Sequence, residues 1–226
     1  MFTGIPEAAL DFFDDLELDN TKSFWTAHKH VYDDAVKAPL EALLTELAPE
    51  FGKATEWINS KPLKLADLKG KVVVIETTNH DCPYVRKHYN AKNMQTQQRE
   101  AAGKGVVWLT VASSAAGEQG HVTAQQANDL TKSRDAAPAA VLLDPKSQVA
   151  RAYGATVTPH MYIIDANGVL AYKGGIDSIP SADAADIPKA KQYVRIGMDE
   201  VLAGKPVTDS STRPYGCTLK YPKTST

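Results

Sequence analysis

The first fifty residues of the chain carry the spacing of short amphipathic helices. In "PEAALDFFDDL", Leu10, Phe13 and Leu16 are spaced for one face of a helix. Asn20 is a suitable N-cap for the next run, "TKSFWTAHKHVYDDAV", and Pro39 opens a third, "PLEALLTELAPEFG". No strand pattern precedes residue 57. The pattern therefore predicts two or three helices in this part of the chain.

From about residue 57 onward, apolar runs of strand length alternate with helical segments. "KVVVIETT", "VVWLTVASS" and "AAVLLD" are β-branched and continuous enough for interior strands. "HMYIIDANGVLAYKGG" predicts a hairpin that turns at Asn167-Gly168. This alternation predicts an α/β fold with a central mixed sheet flanked by helices and closed by a β-hairpin.

Helices are predicted between these strands. One runs from near Pro83 towards Ala102, and another, "TAQQANDLTKSRDA", is capped by Thr123. A short helix covers "SQVARAYGA", and a final one covers "DIPKAKQYVRIGMDEVLAG" with Pro188 near its start. The order is β-α-β-α-β-α-β-β-α.

Composition and charge narrow the class of protein. The chain has 226 residues, of which 43% are hydrophobic and 23% charged, and its net charge is −2. This balance argues against a nucleic-acid partner, which would select a basic surface. No run approaches the roughly 18 apolar residues of a membrane span, and the acidic N-terminus lacks the features of a signal peptide. We therefore expect a cytoplasmic, reducing location, where a cysteine is more often reactive, metal-bound or buried than structurally bridged.

Cys82 is the most informative residue of the sequence. It stands between a predicted strand end and a helix whose first residue is Pro83. Proline at this position sacrifices no hydrogen bond, and the helix dipole favours a thiolate at the helix start. Arg86 and Lys87 add positive charge one turn later. Cys82 is therefore the candidate nucleophile, and an inert buried cysteine is the alternative.

Several motifs carry a resemblance to a known family. "LKGKVVVIE", "NHDCPYVRKHYNAKNMQ", "VVWLTVASSAAGEQG", "YGATVTPHMYIIDANG" and "TRPYGCTLKY" make residues 57–226 resemble the thioredoxin-like redoxin proteins grouped with the AhpC/TSA peroxidases. The resemblance implies a thioredoxin-like fold. The first 53 or so residues resemble the opening of an uncharacterised bacterial family, a domain of unknown function. We therefore expect a helical extension over residues 1–55 and a redoxin domain over residues 56–226.

The resemblance also implies roles for Thr158 and Pro159. In the thioredoxin fold, a cis-proline precedes the hairpin and faces the active-site cysteine, and Pro159 matches it. Thr158 would then offer backbone groups to a substrate chain. An ordinary proline at a strand entry is the alternative.

The motif around Cys82 departs from two related chemistries. Val85 occupies the position of the second cysteine in a C-x-x-C dithiol motif, so Cys82 cannot close that short disulfide. Asn79 stands where a peroxiredoxin would have threonine. Thiol–disulfide exchange and peroxide reduction therefore both remain open.

Cys217 is the candidate partner of Cys82, because it is the only other cysteine in the chain. It lies in "RPYGCTLKY", near the end of a segment rich in turn formers. We expect a mobile tail that brings Cys217 to an oxidised Cys82. The alternative is a terminal cysteine without a role.

A metal site is the rival interpretation of the same region. His80, Cys82, His88 and His160 could converge, and copper or zinc accepts thiolate together with imidazole. The protein would then be a redox-inactive binding module, either a metal carrier or a protein-interaction domain.

The hypothesis that best fits the sequence is a thiol-based oxidoreductase. Cys82 is its nucleophile and Cys217 its possible resolving residue, with support from Pro83, Arg86, Thr158 and Pro159. The expected partners are a thiol or disulfide protein, or a small peroxide or thiol. Neither a metal nor another cofactor is expected, and neither is a nucleic-acid or membrane partner.

Overall fold

The computed structural model describes residues 6–19, 21–39, 56–57, 63 and 65–222. The chain divides into two compact units, Met1–Lys53 and Ala54–Thr226. The helix predicted from Pro39 onward lies outside the described residues, apart from Pro39 itself.

The described part of the N-terminal unit contains two helices, α1 (Glu7–Leu18) and α2 (Lys22–Val31), and α2 continues into a π-helical segment, Tyr32–Lys37. Its small core consists of Ala9, Phe12, Ala35 and Val36. Thr21 caps α2 by accepting a hydrogen bond from the backbone N–H of Phe24. The predicted cap, Asn20, lies outside the described residues.

The buried face of α1 is not the one that its spacing suggested. Leu10 and Phe13 are 61% and 47% exposed, whereas Ala9 and Phe12 are buried. The Phe12 ring packs against Phe24 at 6.1 Å between ring centroids, which turns the neighbouring positions outward. Of the predicted face, only Leu16 packs against the core.

The second unit is built on a six-stranded sheet in the order β1-β4-β3-β2-β6-β7. Strands β2, β3 and β4 run parallel, and β1, β6 and β7 are antiparallel to their neighbours. A separate pair, β5 and β8, forms a two-stranded antiparallel sheet. The strands are β1 (Glu56–Trp57), β2 (Val73–Thr78), β3 (Val107–Ala112), β4 (Ala140–Leu143), β5 (Val157–Thr158), β6 (His160–Ile164), β7 (Leu170–Gly174) and β8 (Cys217–Thr218).

The described residues of the second unit include five α-helices beside this sheet. They are α3 (Pro83–Asn90), α4 (Asn93–Gly103), α5 (Ala124–Ser133), α6 (Gln148–Ala152) and α7 (Tyr193–Leu202), with 3₁₀ turns at Leu65–Leu68 and Ala184–Lys189. Thr123 caps α5 as predicted, in a capping box with Gln126. No helix in the described part of the chain is long and apolar enough to cross a membrane.

Two helix predictions differ from the structure. The helix expected from Pro83 to Ala102 is broken after Asn90, because Lys92 adopts the left-handed conformation (φ 60°). The break allows the Asn93 amide to lie 2.8 Å from His88 Nδ1. Pro188 lies within the preceding 3₁₀ turn instead of starting the last helix.

Glu76, in the middle of β2, joins the sheet to helices α3 and α4. The residue is completely buried, and burial raises the pKa of its carboxyl group. Its oxygens accept hydrogen bonds from four side chains: Tyr89, Gln98, Trp108 and Thr110. These donors come from α3, α4 and β3, so the network fixes α3 against the strand that leads to Cys82.

Candidate functional site

Cys82 lies at the junction of β2 and α3, as the sequence predicted. It is the N-cap of α3, Pro83 occupies the first helical turn, and the cysteine has 0% exposure. The loop before it is shaped by Asn79, whose side chain accepts a hydrogen bond from the Asp81 N–H (2.9 Å) and donates one to the Gln119 carbonyl (3.2 Å). Asn79 thus organises the loop at the position where the peroxiredoxin pattern has threonine.

The two positive residues expected beside Cys82 have different environments. Arg86 is exposed on α3, and its backbone N–H donates to the Cys82 carbonyl at 2.9 Å. Lys87 is buried, and its ammonium lies 3.7 Å from Asp177 Oδ2. The charge of Lys87 is therefore paired with a carboxylate instead of being free to act on Cys82.

The Thr158–Pro159 peptide bond is cis, as the resemblance implied. The carbonyl oxygen of Thr158 accepts a hydrogen bond from Cys82 Sγ at 3.1 Å. Thr77, near the end of β2, fastens this turn: its hydroxyl donates to the Val157 carbonyl (3.1 Å) and accepts from the His160 N–H (3.0 Å). The strand that ends before Cys82 therefore also positions the cis-proline turn.

Cys217, near the C-terminal end of the second unit, lies beside the same cis-proline turn. It pairs with Thr158 in the antiparallel β5–β8 register and packs against the core cluster that contains Cys82. Burial raises the pKa of the Cys217 thiol to about 12, and a hydrogen bond and charge interaction with Cys82 contribute to the rise. Both cysteines are free thiols. Two cysteines far apart in sequence thus both lie beside one residue, Thr158.

The segment that carries Cys217 is fastened on both sides, which corrects the expectation of a mobile tail. On one side, the Tyr215 hydroxyl donates to Asp177 Oδ1 at 2.5 Å. On the other, Leu219 is 4% exposed within the core, and its N–H donates to the Thr156 carbonyl at 3.0 Å. The segment forms a bridge with β7 at Lys173 and Ser211, and its strand β8 pairs with β5, so Cys217 is held beside Thr158.

A buried polar cluster lies beneath this segment. We define it as Lys87, His88, Asp177 and Tyr215. His88 Nε2 lies 3.3 Å from the Tyr215 hydroxyl and 3.8 Å from Asp177 Oδ2. Burial, reinforced by the charge of Lys87, lowers the pKa of His88 to about 3, so the imidazole is neutral at physiological pH. The cluster anchors the Cys217 segment to α3.

The histidines proposed as metal ligands lie in separate environments. His80 Nε2 is 3.5 Å from Asp81 Oδ2, whereas His88 belongs to the buried cluster. His160 is buried and stacks on Tyr162 at 4.6 Å between ring centroids. Within the described residues, no three His, Cys, Asp or Glu side chains are grouped to hold a metal ion.

Sequence reasoning missed four residues of this site: Thr77, Asp177, Tyr215 and Gly216. Gly216 lies against the backbone of Thr158, where an added Cβ would be 2.0 Å from the carbonyl oxygen. A glycine directly before the cysteine is the one local signal of such close approach. The other three act through partners far away in sequence, which no local pattern reveals.

Two family models match the chain. One, described as the AhpC/TSA family, covers residues 44–173 and includes Cys82, Thr158 and Pro159, but it ends before Cys217. The other, a conserved hypothetical protein family designated DUF2461, covers residues 8–68. Both resemblances inferred from the sequence are thereby confirmed. No curated protein matches the chain.

Solved structures resemble a large part of this chain. An uncharacterized conserved protein from Geobacillus kaustophilus is 24% identical with a TM-score of 0.64, covering 76% of this chain and 89% of its own. A hypothetical protein from Sinorhizobium meliloti 1021 is 23% identical with a TM-score of 0.61, covering 75% and 92%. The exposed lipoprotein thioredoxin of Streptococcus pneumoniae strain TIGR4 is 26% identical with a TM-score of 0.44, covering 58% and 92%. The thioredoxin-like fold expected from the sequence is confirmed by the matched family together with the strand order of the sheet and the cis-proline before the hairpin.

Proposed function

The chain belongs to the AhpC/TSA family, whose chemistry is thiol-based and redox, and from this premise we propose that it is an oxidoreductase whose working unit is the pair Cys82 and Cys217. The pair replaces the C-x-x-C dithiol that Val85 rules out. Val85 is itself buried in the core, with 0% exposure. The second thiol therefore comes from β8 instead of from the next turn of α3.

One observation carries this proposal. Thr158 is paired with Cys217 across the small sheet, while its carbonyl oxygen accepts the hydrogen bond of the Cys82 thiol at 3.1 Å. The raised pKa of Cys217 also reflects how close the two thiols lie. Burial is the largest cause of the rise, and the interaction with Cys82 is the next. The shared backbone neighbour and the hydrogen bond between the two thiols support this pairing, because a disulfide requires two cysteines that lie close together.

The reaction transfers two electrons. With a disulfide RSSR as the oxidant, the thiolate of Cys82 attacks one sulfur, forms a mixed disulfide and releases RS⁻. Cys217, after losing its proton to solvent, attacks Cys82 Sγ, releases the second RS⁻ and leaves a Cys82–Cys217 disulfide. With a peroxide ROOH, Cys82 becomes a sulfenic acid with release of ROH, and Cys217 then displaces water from it.

Matched serine variants test this proposal. The reduced full-length chain is mixed separately with glutathione disulfide and with hydrogen peroxide, and loss of free thiols is followed. We expect Cys82→Ser to abolish the reaction, and Cys217→Ser to stop at a mixed disulfide or an over-oxidised Cys82. If both variants consume the oxidants at the wild-type rate, the proposed pair is wrong. If the wild type consumes neither oxidant, a redox-inactive binding module is the better interpretation.

The choice of oxidant separates the two activities that the family resemblance leaves open. Faster thiol loss with hydrogen peroxide identifies peroxide reduction, and faster loss with glutathione disulfide identifies thiol–disulfide exchange. The same two cysteines serve in either case, so this comparison assigns the substrate without altering the site.

A further inference from the structure

The contact that Cys82 and Cys217 share at Thr158 depends on the thiol proton of Cys82. In the reduced protein, Cys82 Sγ donates this proton to the Thr158 carbonyl, and Thr158 pairs with Cys217. A Cys82 that has formed a mixed disulfide has no thiol proton left to donate. The mixed disulfide is nevertheless the species that Cys217 attacks. Contacts that do not use the Cys82 sulfur therefore gain importance in the second step of the reaction.

One such contact starts at Asn79, three residues before Cys82. The Asn79 backbone carbonyl accepts a hydrogen bond from the Cys82 N–H at 3.1 Å. The residue is 2% exposed, and its side-chain Nδ2 donates to the Gln119 carbonyl at 3.2 Å. Neither bond involves the Cys82 side chain. A mixed disulfide at Cys82 therefore removes no donor or acceptor from this contact.

The loop that receives the Asn79 hydrogen bond is also bonded to the segment that carries Cys217. We call residues 115–120 the bridging loop. At one end of it, the Ala115 N–H donates to the carbonyl of Lys220, three residues after Cys217, at 3.0 Å. The Glu118 N–H donates to the Ala115 carbonyl at 3.0 Å, which folds the loop into a turn. The bridging loop thus connects the two segments that carry the cysteines.

The bridging loop packs closely on Asn79 at Gly120. A Cβ added at Gly120 would lie 2.3 Å from Asn79 Cγ, and the glycine has a positive φ of 87°. Gly117, in the same loop, has a similar φ of 81° but has no neighbouring atom within 4 Å of an added Cβ. Gly120 therefore serves the contact with Asn79 in addition to the turn.

We propose, on the basis of the dithiol function above, that Asn79 is a positioning residue for the second step of the reaction. Through the bridging loop, it keeps Cys217 within reach of Cys82 while Cys82 is bonded to the sulfur of the oxidant. Reactions between groups that are already held together are faster than those between groups that must first meet.

The step that Asn79 assists is balanced as follows. Cys217 loses its proton to solvent, and its thiolate attacks Cys82 Sγ of the mixed disulfide Cys82–S–S–R. The Cys217–Cys82 bond forms, and the bond between Cys82 and the external sulfur breaks. The electron pair of the broken bond leaves with the external thiolate, RS⁻. Asn79 acts on this step through the backbone of two loops and exchanges no proton or electron.

Asn79 also has a local role, which a suitable variant separates from the proposed one. Its Oδ1 accepts a hydrogen bond from the Asp81 N–H at 2.9 Å and so shapes the turn before Cys82. A serine hydroxyl can accept the same kind of local hydrogen bond, but the serine side chain is too short to replace the amide that reaches Gln119. Asn79→Ser therefore removes the connection to the bridging loop and retains an acceptor for the local turn.

The two steps can be followed separately with glutathione disulfide. The reduced full-length chain is mixed with an excess of it, quenched with acid at intervals, and weighed by intact mass spectrometry. Formation of the glutathione adduct in a Cys217→Ser background measures the first step. Conversion of the adduct to the internal disulfide, with both cysteines present, measures the second.

Asn79→Ser should slow the second step selectively. We expect a decrease of about three- to tenfold in its rate, as for the loss of one hydrogen bond, and a decrease of less than about twofold in the first step. A general loosening of the structure would not single out the second step. Equal slowing of both steps, or an unchanged second step, would overturn the proposal.

Gly120→Ala approaches the same contact from the bridging loop, because its added methyl group would meet Asn79. We expect the same selective slowing of the second step. Gly117→Ala is the matched control for strain at a positive φ, and both of its steps should keep the wild-type rate. Equal slowing by the two alanine variants would contradict the role of Asn79.

The double variant Asn79→Ser/Gly120→Ala tests whether the two residues act through one contact. We expect the second step to be slowed no more than in the slower single variant, because changes that remove the same interaction are not additive. Slowing equal to the product of the two single effects would show that they act separately, which would overturn the proposal.

Failure of the dithiol function gives a different result. If the wild type forms the glutathione adduct but never the Cys82–Cys217 disulfide, the pairing of the cysteines is itself wrong. If the wild type forms the disulfide and Asn79→Ser forms it at the same rate, the pair stands and only the role of Asn79 is wrong.

Discussion

Gly216 lies so close to Thr158 that a Cβ added at Gly216 would be 2.0 Å from the Thr158 carbonyl oxygen. That oxygen is the acceptor of the Cys82 thiol, so the glycine allows β8 and Cys82 to share one backbone unit. The contact explains why the strand that carries Cys217 can lie directly on the cis-proline turn.

Gly216→Ala should therefore separate the cysteines. We expect slower formation of the Cys82–Cys217 disulfide under a fixed dose of diamide, and a loss of about 1–3 kcal/mol in the free energy of unfolding from strain and clash. Gly117→Ala is the control, because Gly117 also has a positive φ (81°) but has no neighbouring atom within 4 Å of an added Cβ. Oxidation of Gly216→Ala at the wild-type rate would contradict this account of β8.

Tyr215→Phe tests the anchor on the other side of Cys217. The change removes the hydroxyl that donates to the buried Asp177 at 2.5 Å, leaving a charged group with one donor fewer. We expect a loss of about 1–3 kcal/mol in urea unfolding. Tyr221→Phe is the control: it lies in the same segment, but its hydroxyl donates to a neutral backbone carbonyl, that of Ala155. Equal losses in the two variants would mean that the hydrogen bond to Asp177 stabilises the fold no more than the hydrogen bond to the Ala155 carbonyl.

His88 predicts how stability depends on pH. Its folded-state pKa is about 3, against 6.5 for the free imidazole, because burial and Lys87 disfavour the charged form. Between these values the unfolded chain binds a proton that the folded chain does not, so stability is full above about pH 6.5 and falls as the pH is lowered towards 3. The loss approaches about 1.4 kcal/mol per pH unit within this window.

The contribution of His88 is isolated by His88→Gln, which retains polar groups towards Asn93, Tyr215 and the neighbouring Lys87–Asp177 pair. Urea unfolding at a series of pH values should give a shallower slope in the variant. Some slope will persist, because burial also lowers the pKa of His160, to about 4. An unchanged slope would show that His88 binds its proton equally well in the folded and the unfolded chain, which would contradict the lowered pKa.

The sequence predicted the parts of the fold that local patterns encode. The apolar runs of β2, β3 and β4 mark interior strands, Asn167-Gly168 marks the turn of the β6–β7 hairpin, and the Cys82-Pro83 pair marks the start of α3. β5 and β8 have two residues each, which is too short for any periodicity. Their pairing depends on Thr77, Gly216 and the buried Leu219, and these contacts arise only in the folded chain.

The candidate site, like the fold, could be predicted from the sequence only in part. Cys82 and Cys217 could be named because cysteine is rare in this chain, whereas Pro159 was named through the resemblance to the thioredoxin fold. The sequence could not predict that the segment around Cys217 is held in place, because this depends on a hydrogen bond between Tyr215 and Asp177, which is 38 residues away in sequence. A segment rich in turn formers has the same composition whether it is mobile or fastened.

The second unit should carry the redox site without the first. Residues from Ala54 onward form one of the two compact units, and the described core of the N-terminal unit, Ala9, Phe12, Ala35 and Val36, is its own. We expect a chain that begins at Ala54 to form the Cys82–Cys217 disulfide at the rate of the full-length chain. Thiol loss under diamide measures this rate. A truncated chain that is folded by circular dichroism but does not oxidise would contradict the prediction.

The most direct measurement is the identity of the disulfide formed in the full-length protein. The reduced chain is treated with mild diamide, remaining thiols are alkylated, and peptides are mapped by mass spectrometry without reductant. Our account predicts one intramolecular crosslink, between the peptides that contain Cys82 and Cys217, at a protein concentration low enough to suppress collisions between chains. Recovery of both cysteines in alkylated form, or only of crosslinks between separate chains, would contradict the claim that the two thiols form a pair.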